Sequence, residues 1–575
     1  MKPRRISFLI CGMAGDGIFA SGTILSKTFM RGGLNVFSTN EYRSIIRGGY
    51  QWYNVTVSDY PVYSHVYHID FLIALTKKAV EFHKSQLSES STVIVDTKED
   101  LKSTAGNFTI VKVPMSDFLR EAGAKRIMRN SIALGALISL VDYDFPLLES
   151  VIRNTYKEDV AIKNVELAKK GYEYINQLFS NRKGFKKLSR REKPIRQIFV
   201  SGNEAVALGA IAGGLKFYAA YPMTPASSIL HFLARLQYDY NIIVLQPESE
   251  IAAINMVIGA SFAGVRAMTA TSGGGFSLMT EALGLAAMAE IPIVIVVVQR
   301  PGPSTGMPTF TSQGDLRFVL HASQGEFPRI VLAPGDAEEA FHTAFYSLNL
   351  AWKFQIPVII LSDKFLGESS WSCKKFKIEG KVEEGKVIRG TYRGEQPYRR
   401  YALSEDGVSP FAILGTKNAI VKANSSEHDE YGVPTVNPQL VKKMVEKRFK
   451  KIEKIKEEMK KYEVVKYYGD PEPECLIISW GSLKGPILEA MQRVEDNLKV
   501  GFVQVLWLEP FPKNELKTLI EKSENRLLIE NNKTGLLNSL LNEHLHINIG
   551  KKFLKYDGRP PYPYEIVKTI KGEMV

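Results

Sequence analysis

The chain contains 575 residues with a formal net charge of +13 at pH 7, 45% hydrophobic residues and 23% charged residues. Length and composition predict roughly three to four globular domains with sizeable cores. The longest apolar run, IPIVIVVV at 291–298, is too short to cross a bilayer, so we predict no membrane association. The three cysteines lie far apart in sequence, which excludes a disulfide framework or a tetrathiolate metal cluster built within this chain.

The first predicted domain covers residues 1–180 and has an α/β pattern. RISFLICGMAGDGIFASGTILSKTFM predicts a strand, a glycine-rich turn and a helix, and further strands are predicted at NVFSTN, QWYNVTVS, HIDFLIAL, STVIVDT and FTIVKVP. The first apolar run is short and continues into glycines instead of a signal-peptide cleavage site. We therefore expect a cytoplasmic protein that begins with a β-strand.

The glycine loop of this domain, Gly12–Gly17, allows two interpretations. Its glycines do not follow the usual GxGxxG order, so a dinucleotide site and a tight turn for close helix–strand packing both stay open. The loop also contains the GDG of a thiamine diphosphate and magnesium motif. That motif requires paired asparagines, and Asn40 is followed by Glu41 here, so we predict that this chain has no diphosphate site.

Basic residues concentrate in two stretches outside the predicted sheets. Residues 181–198 have no strand or helix periodicity and predict an exposed linker, whereas residues 441–465 interleave Lys with Glu at helical spacing and predict a solvated basic helix. Neither zinc-finger spacing nor an aromatic–basic RNA signature nor a basic zipper accompanies them. We predict no nucleic-acid partner, and a solvated surface or an acidic protein partner accounts for the charge.

Two further α/β domains are predicted after the linker. Residues 199–440 form the second, with a charged, proline-containing extension from residue 370, and residues 466–575 form the third, with strands at CLIISWG, VGFVQVLWL and NRLLIEN. Strands alternate with helices in all three domains, which predicts an α/β fold of three doubly wound parallel sheets.

Polar side chains follow four predicted strands of the second domain. They are Tyr221, Pro222 and Thr224 after FYAA, Glu248 and Glu250 after IIVLQ, Thr271 and Ser272 after AMTA, and Arg300 after IPIVIVVVQ. Ligands bind at the carboxyl ends of the strands in open α/β sheets, so these side chains predict a binding site. Helix caps and exposed loop residues are the alternative interpretation.

The stretch QPESEIAAINMVIGASFAGV, at 246–265, brings two carboxylates to the beginning of an apolar helix. A helix that is apolar on every face is normally buried, so we expect this one to lie in the core. Residues two apart on a helix point in nearly opposite directions. Only one of Glu248 and Glu250 is therefore expected to face a ligand.

Five motifs of the second domain resemble the α subunit of archaeal and bacterial 2-oxoacid:ferredoxin oxidoreductases, the family that acts on 2-oxoglutarate and pyruvate. They are FYAAYPMTPASSI, ESEIAAINMVIGASFAG, AMTATSGGGFSLMTEALGLA, VVVQRPGPSTGMPTFTSQGDL and PVIILSDKFLGES. The first domain, with GMAGDG and RGG (47–49), resembles the family's γ module fused in front. WGSLKGPILEAM, EPFP and ENNKTG extend the resemblance through the third domain.

The resemblance implies a thiamine diphosphate enzyme whose active site is divided between two chains. The second domain would be a pyrimidine-binding-like domain that holds the cofactor's aminopyrimidine, and the third a transketolase C-terminal-like domain. A separate β subunit would hold the diphosphate, Mg²⁺ and a four-iron four-sulfur cluster, none of them held by this chain alone. The implied heterodimer oxidatively decarboxylates a 2-oxoacid with coenzyme A, giving acyl-CoA and CO₂ and reducing ferredoxin.

The resemblance also assigns roles to individual residues. Glu250, aligned through SEIAA, would hydrogen-bond the pyrimidine ring nitrogen and favour the imino tautomer, which removes the thiazolium proton. Arg300 would receive the substrate carboxylate, a task that suits its fork of donors, and Thr224 would lie beside cofactor and substrate. Cofactor-binding positions are implied at Tyr221, Pro222, Thr224, Glu250, Thr271 and Ser272.

Some features leave alternatives open. The family's GGQG is AGDG here, with Asp16 in the loop, and its TSGPG is TSGGG, with Gly274 in place of proline. A non-catalytic scaffold or binding subunit is one alternative function. An NAD-dependent dehydrogenase built around Gly12–Gly17 is the other. The preferred 2-oxoacid and the number of αβ units are not predicted.

Overall fold

A computed structural model describes residues 5–43, 49–101, 106–179, 185–192, 195–494 and 498–573. Residues 47–48 of the RGG motif and residues 181–184 and 193–194 of the predicted linker lie outside the described residues. The described residues form three α/β units in which parallel strands are covered by helices. No helix in this described part is long and apolar enough to cross a membrane.

The N-terminal unit contains the strands that the sequence predicted. Its elements are β1 (Arg5–Met13), α1 (Ile18–Arg31), β2 (Asn35–Tyr42), β3 (Tyr50–Ser58), β4 (Phe71–Ala74), α2 (Lys77–His83), β5 (Thr92–Asp96), β6 (Thr109–Val113), α3 (Met115–Glu121), α4 (Arg129–Leu140), α5 (Phe145–Thr155) and α6 (Glu158–Leu178). Strands β1, β4, β5 and β6 run parallel, whereas β3 lies antiparallel between β1 and β2. The connection from β2 to β3 is too short for a crossover helix, which explains the antiparallel pairing.

The glycine loop of this unit is tied down by contacts within the fold. The Asp16 carboxylate accepts hydrogen bonds from Arg129 Nη2 at 2.8 Å and from the Met13 N–H at 3.0 Å. Gly17 lies at the start of α1 with a φ of 76°, a left-handed conformation that glycine adopts without strain. These contacts favour the interpretation of the loop as a close-packed turn.

The middle unit is a seven-stranded sheet with the order β20-β12-β13-β11-β10-β8-β9, in which β20 (Trp507–Glu509) comes from the C-terminal part of the chain. Its own elements are α7 (Gly202–Ala212), β8 (Phe217–Ala219), α8 (Ser227–Tyr240), β9 (Ile243–Leu245), α9 (Glu250–Phe262), β10 (Ala267–Thr271), α10 (Gly273–Met288), β11 (Ile293–Gln299), α11 (Leu316–His321), β12 (Ile330–Leu332), α12 (Ala337–Phe354), β13 (Pro357–Asp363) and α13 (Lys364–Glu368). Strands β11 and β13 are continuous buried runs because helices cover both faces of the sheet.

Two strands cross from the middle of the chain to the first sheet. They are β7 (Ile198–Ser201) and β14 (Ser370–Cys373), and β14 pairs with both β7 and β2. The rest of the extension contains β15 (Val387–Ile388), β16 (Phe411–Ala412) and the long helix α14 (Pro438–Met459). Asn437 caps α14, accepting hydrogen bonds from the N–H groups of the first helical turn.

The prediction that the basic helix is solvated is wrong for one of its faces. Lys447 and Lys451 of α14 are each 1% exposed, and their Nζ atoms lie 2.6 and 2.5 Å from the carboxylate of Glu290. A spacing of four residues places both lysines on one side of the helix. Burial alone would raise the pKa of Glu290, but the two lysines outweigh it and hold that pKa well below its usual range. The helix is therefore fastened to the middle unit by buried charges.

The C-terminal unit is a five-stranded sheet with the order β17-β19-β18-β21-β22. Its elements are β17 (Val465–Gly469), β18 (Cys475–Trp480), α15 (Lys484–Val494), β19 (Val500–Val505), β20 (Trp507–Glu509), α16 (Lys513–Ile520), β21 (Arg526–Glu530), α17 (Leu536–Leu545), β22 (Lys551–Leu554) and α18 (Pro563–Ile570). The predicted single strand VGFVQVLWL is wrong, because its last residues leave this sheet as β20 and pair with β12. One hydrophobic core runs from α9 and α10 into β18 and β19, so the two units share an interior.

Candidate active site

The predicted site residues follow neighbouring strands of the middle sheet. Strands β11, β10, β8 and β9 lie side by side in that order, and β8 and β11 are both parallel to β10. Parallel strands bring their carboxyl ends to one edge of the sheet. The structure thus gathers the loop after β8, the start of α9, the start of α10 and the residue after β11 along this edge.

Glu250 is the first residue of α9 and is 4% exposed. Ser249 caps the helix, because its Oγ accepts a hydrogen bond from the Ala252 N–H at 3.2 Å. Glu248 lies before the cap and is exposed, so the two carboxylates differ because one precedes the helix and not because they lie on opposite faces of it. Within the described part of the chain, Glu250 Oε1 is buried and has no hydrogen-bond partner. A buried oxygen in this state is suited to a ligand that brings its own donor.

The Glu250 carboxylate packs against the backbone of α10. A Cβ placed on Gly275 would lie 2.7 Å from Glu250 Oε1 and 2.9 Å from its Cγ, and closer still to Thr271 Oγ1. Gly275 therefore leaves the space that the carboxylate occupies. Thr271 Oγ1 also lies 3.8 Å from the sulfur of Met223, which links this contact to the loop after β8.

The expectation that α9 is buried on every side is wrong for its outer face. Ala253, Val257 and Ile258 lie in the core, but Ile251 is 52% exposed and Met256 is 40% exposed. Leu278 of α10 and Ile243 and Leu245 of the edge strand β9 are also exposed. An apolar composition follows equally from packing in a core and from packing against another chain, so hydrophobicity alone does not separate the two.

Arg300 and Thr224 meet directly. Arg300 Nη1 donates a hydrogen bond to the Thr224 carbonyl at 2.8 Å, which fixes the guanidinium against the loop after β8. Both side chains are half-buried, as is Pro222, whereas Tyr221 is 39% exposed. Burial lowers the pKa of Arg300 and the nearby Asp315 carboxylate raises it. The guanidinium thus lies at the surface of the site with one nitrogen held by the protein.

Thr271 and Ser272 are both fully buried at the junction of β10 and α10. Ser272 occupies the cap position of α10, yet its Oγ is among the buried oxygens for which the described residues offer no hydrogen-bond partner. Ser272 Oγ and Glu250 Oε1 are thus two of the buried oxygens at the first turn of this helix for which the described residues provide no partner. A flat heterocycle with ring nitrogens and an amino group, such as an aminopyrimidine, matches this pair of oxygens in chemistry.

The sequence pattern missed one charged residue of the site, Asp315. It lies at the end of the loop after β11, in the TSQGD stretch, and burial raises the pKa of its carboxyl to about 6, with Arg300 acting in the opposite direction. The Asp315 N–H donates to Gln299 Oε1 at 2.9 Å. The residues between Arg300 and Asp315 follow neither strand nor helix periodicity, so no pattern predicted that the loop returns to the same site.

No group of three or more His, Cys, Asp or Glu side chains among the described residues is placed to hold a metal ion. Cys11 and Cys475 are buried and Cys373 is half-buried, and all three are free thiols.

Comparisons with known proteins match the three units in turn. Residues 7–174 match the family "Pyruvate ferredoxin/flavodoxin oxidoreductase", residues 208–447 match "Pyruvate flavodoxin/ferredoxin oxidoreductase, thiamine diP-bdg", and residues 473–571 match "Pyruvate:ferredoxin oxidoreductase core domain II". The 2-oxoacid:ferredoxin oxidoreductase subunit alpha of Saccharolobus solfataricus is 36% identical over 99% of this chain and 98% of its own length. Subunit alpha of 2-oxoacid:ferredoxin oxidoreductase 2 from Aeropyrum pernix is 33% identical over 98% of this chain and 97% of its own.

A solved structure is similar over almost the whole chain. It is the 2-oxoglutarate:ferredoxin oxidoreductase from Magnetococcus marinus, with 2-oxoglutarate, coenzyme A and succinyl-CoA bound. The two chains superpose with a TM-score of 0.90 at 33% sequence identity, covering 99% of each. The arrangement of all three units is therefore common to both proteins.

Proposed function

The chain belongs to the family of 2-oxoacid:ferredoxin oxidoreductase alpha subunits, and we propose that it works with a β subunit in the oxidative decarboxylation of a 2-oxoacid. In the proposed reaction coenzyme A receives the acyl group, CO₂ is released and ferredoxin takes up the electrons. The observation that supports this most strongly is the buried Glu250 carboxylate, whose Oε1 lacks a partner among the described residues.

Glu250 is proposed to hold the aminopyrimidine of thiamine diphosphate. That cofactor, when bound, supplies the nucleophilic carbon and the electron sink that decarboxylation of a 2-oxoacid needs. Glu250 Oε1 would share a proton with a nitrogen of the pyrimidine ring. Gly275 has no side chain and so leaves the space that the carboxylate needs beside α10. Thr271 and Ser272 line the same turn, and Tyr221 and Pro222 border it from the loop after β8.

Arg300 is proposed to bind the carboxylate of the 2-oxoacid. Because one nitrogen is held by the Thr224 carbonyl, the rest of the guanidinium fork is oriented before the substrate arrives. A fixed donor pair costs less conformational entropy on binding than a mobile one. Thr224 would lie beside the reacting carbon, at the point where the loops after β8 and β11 meet.

The exposed apolar face beside the site supports a protein partner. We define this outer face as Ile243, Leu245, Ile251, Met256 and Leu278. Exposed large apolar side chains on neighbouring elements are typical of interaction sites on soluble proteins. We propose that the β subunit covers it and supplies the diphosphate site, Mg²⁺ and the four-iron four-sulfur cluster, and that the complex reduces ferredoxin.

Two neighbouring glutamates give a matched test of the catalytic assignment. The chain is produced with its β partner, and Glu250→Gln and Glu248→Gln are compared in 2-oxoacid-dependent reduction of ferredoxin, with pyruvate and with 2-oxoglutarate. Loss of a positioned proton-sharing group lowers rates by roughly 10²–10⁴-fold, so we expect kcat of Glu250→Gln to fall at least about 100-fold. The exposed Glu248→Gln should stay within about twofold of the unmodified complex. Near-normal turnover of Glu250→Gln would refute the assignment.

A further inference from the structure

A second carboxylate borders the same helix turn as Glu250. If Gly273, the first residue of α10, carried a Cβ, that atom would lie 2.9 Å from Asp315 Cγ and 3.0 Å from its Oδ1, and closer still to Oδ2. Gly275 receives Glu250 in the same way, two residues further along. The glycines at the start of α10 thus accommodate two acidic side chains, one for the proposed cofactor and one that the function described above does not use.

The Asp315 carboxylate does not serve as a helix cap. Asp315 occupies the cap position of α11, but it makes no side-chain capping bond within the described chain. Asp336 and Asp363, at the same position of α12 and α13, do accept such bonds, from the Glu339 N–H at 2.9 Å and the Leu366 N–H at 3.0 Å. Asp315 Oδ2 is instead buried without any partner that the described residues provide. A buried unpaired carboxylate oxygen is costly, which indicates a role beyond capping.

The backbone of Asp315 is held beside the substrate-binding arginine. Its N–H donates to the side chain of Gln299, the residue immediately before Arg300. Gln299 is in turn fixed by donating its Nε2 to the Ser362 carbonyl at 3.0 Å. The two charges attract one another, but they form no direct ion pair in the part of the chain that the structure describes. Because Thr224 already positions the guanidinium, Asp315 is not needed for that purpose.

We propose that Asp315 is the resident counter-charge of Arg300 and that its negative charge opposes binding of the 2-oxoacid carboxylate, so that Asp315 sets the affinity of the site for its substrate. This inference rests on the proposed function, since it takes Arg300 as the group that binds the 2-oxoacid. Asp315 acts on the substrate site through its charge beside Arg300, and no contact with the reacting atoms is required.

The titration of Asp315 gives the proposal a pH signature. Burial raises its pKa to about 6, and Arg300, the charged neighbour from β11, lowers it. Gly273 of α10 and Gln299 of β11 bring no charge, and Arg317 on its own helix is paired with Glu543 at 2.5 Å. The counter-charge is therefore present above pH 6 and is removed by protonation below it. We expect the affinity for a 2-oxoacid to rise as the pH falls through this range.

The test uses the complete complex and an unreactive carboxylate. Kd for oxamate is measured by calorimetry, and KM and kcat for pyruvate and 2-oxoglutarate are measured from pH 5.5 to pH 8, with Asp315→Asn and the exposed Glu326→Gln as a control. Removing one charge at several ångströms changes carboxylate affinity by roughly 3- to 10-fold. Asp315→Asn should lower KM and the oxamate Kd by that factor at pH 8 and leave kcat within about twofold. Asp315→Glu, which restores the charge, should bring both values back toward those of the unmodified complex.

Three outcomes would overturn the proposal. The first is an Asp315→Asn variant whose oxamate Kd is unchanged or raised at pH 8. The second is a pH dependence of KM between 5.5 and 7 that persists in that variant. The third applies even if the variant does not assemble, namely an oxamate Kd of the unmodified complex that is independent of pH. If the unmodified complex fails to turn over 2-oxoacids, the proposed function fails and the role of Asp315 is not what failed. Oxamate binding by Arg300→Ala distinguishes the two failures, because loss of binding in this variant shows that Arg300 binds a carboxylate.

Discussion

Gly275→Ala tests how tightly the Glu250 carboxylate is fitted into the fold. The added methyl would lie 2.7 Å from Glu250 Oε1 and 2.9 Å from its Cγ, besides its contact with Thr271 Oγ1. Carbon atoms in protein interiors do not approach other heavy atoms this closely, so Thr271, Glu250 or α10 must move. Glu250 is itself confined, because it is 4% exposed and begins a helix that packs in the core.

The expected magnitudes follow from two opposing effects. Replacing glycine by alanine inside a helix stabilises it by about 0.5–1 kcal/mol, whereas an extra methyl in a packed interior costs about 1–3 kcal/mol. We expect the free energy of unfolding of Gly275→Ala to fall by about 1–2 kcal/mol. A catalytic group displaced by about 1 Å loses on the order of 10²-fold in rate, so kcat/KM should fall about 100-fold.

Gly274→Ala is the matched control one residue away. Its Cβ would have neighbours no nearer than 4.0 Å among the described residues, namely Met223 Cε and the Ser304 carbonyl oxygen. This variant keeps the helix-propensity gain without the collision, so activity should stay within about twofold and stability should not fall. The assays are ferredoxin reduction by the complex and thermal unfolding. The reasoning fails if Gly275→Ala retains normal kcat/KM, or if both variants lose activity equally.

Two predictions concern stability instead of catalysis. Glu290→Gln leaves Lys447 and Lys451 buried without a counter-charge, and we expect the free energy of unfolding to fall by about 3–5 kcal/mol in denaturant titrations. If the free energy of unfolding fell by less than about 1 kcal/mol, the buried charge cluster would not stabilise the packing of α14. His65 is buried, which together with nearby lysines lowers its pKa from 6.5 to about 3. The unfolded chain therefore takes up the proton more readily than the folded chain, so stability falls as the pH drops below 6.5. Between pH 6.5 and pH 5 this amounts to about 2 kcal/mol, and His65→Gln should lack that part of the pH dependence.

The strands and helices were predictable because each carries a local signal. The short run IVIVVVQ, rich in β-branched residues and followed by a glycine- and proline-rich loop, favours a buried central strand. The choice of sheet was not predictable in the same way. VGFVQVLWL looks like one strand, yet Trp507–Glu509 turns away and pairs with β12. Which sheet a strand joins is decided by contacts between residues far apart in sequence, and a local pattern contains no information about them.

The candidate site was predictable where a residue follows a strand or starts a helix. Ser249 marked where the helix begins, which put Glu250 in its first turn, whereas Glu248 precedes the helix and is exposed. Asp315 was missed because a long irregular loop returns it to Arg300. Lys447 and Lys451 were misjudged because a helix with alternating charges has the same pattern whether or not one of its faces is covered.

The composition of α9 links the site to assembly of the enzyme. The inner face of the helix packs in the core, whereas Ile251 and Met256 are exposed on the outer face, and Leu278 extends that face onto α10. These are the two helices whose first turns hold Glu250 and Ser272. A partner that covers the outer face would also come close to the start of α9, because Ile251 directly follows Glu250. In a site without water, proton sharing between Glu250 and a bound heterocycle is stronger than in an open cleft. Under the proposed function, the exposed apolar side chains beside Glu250 are the ones that the proposed β subunit would cover.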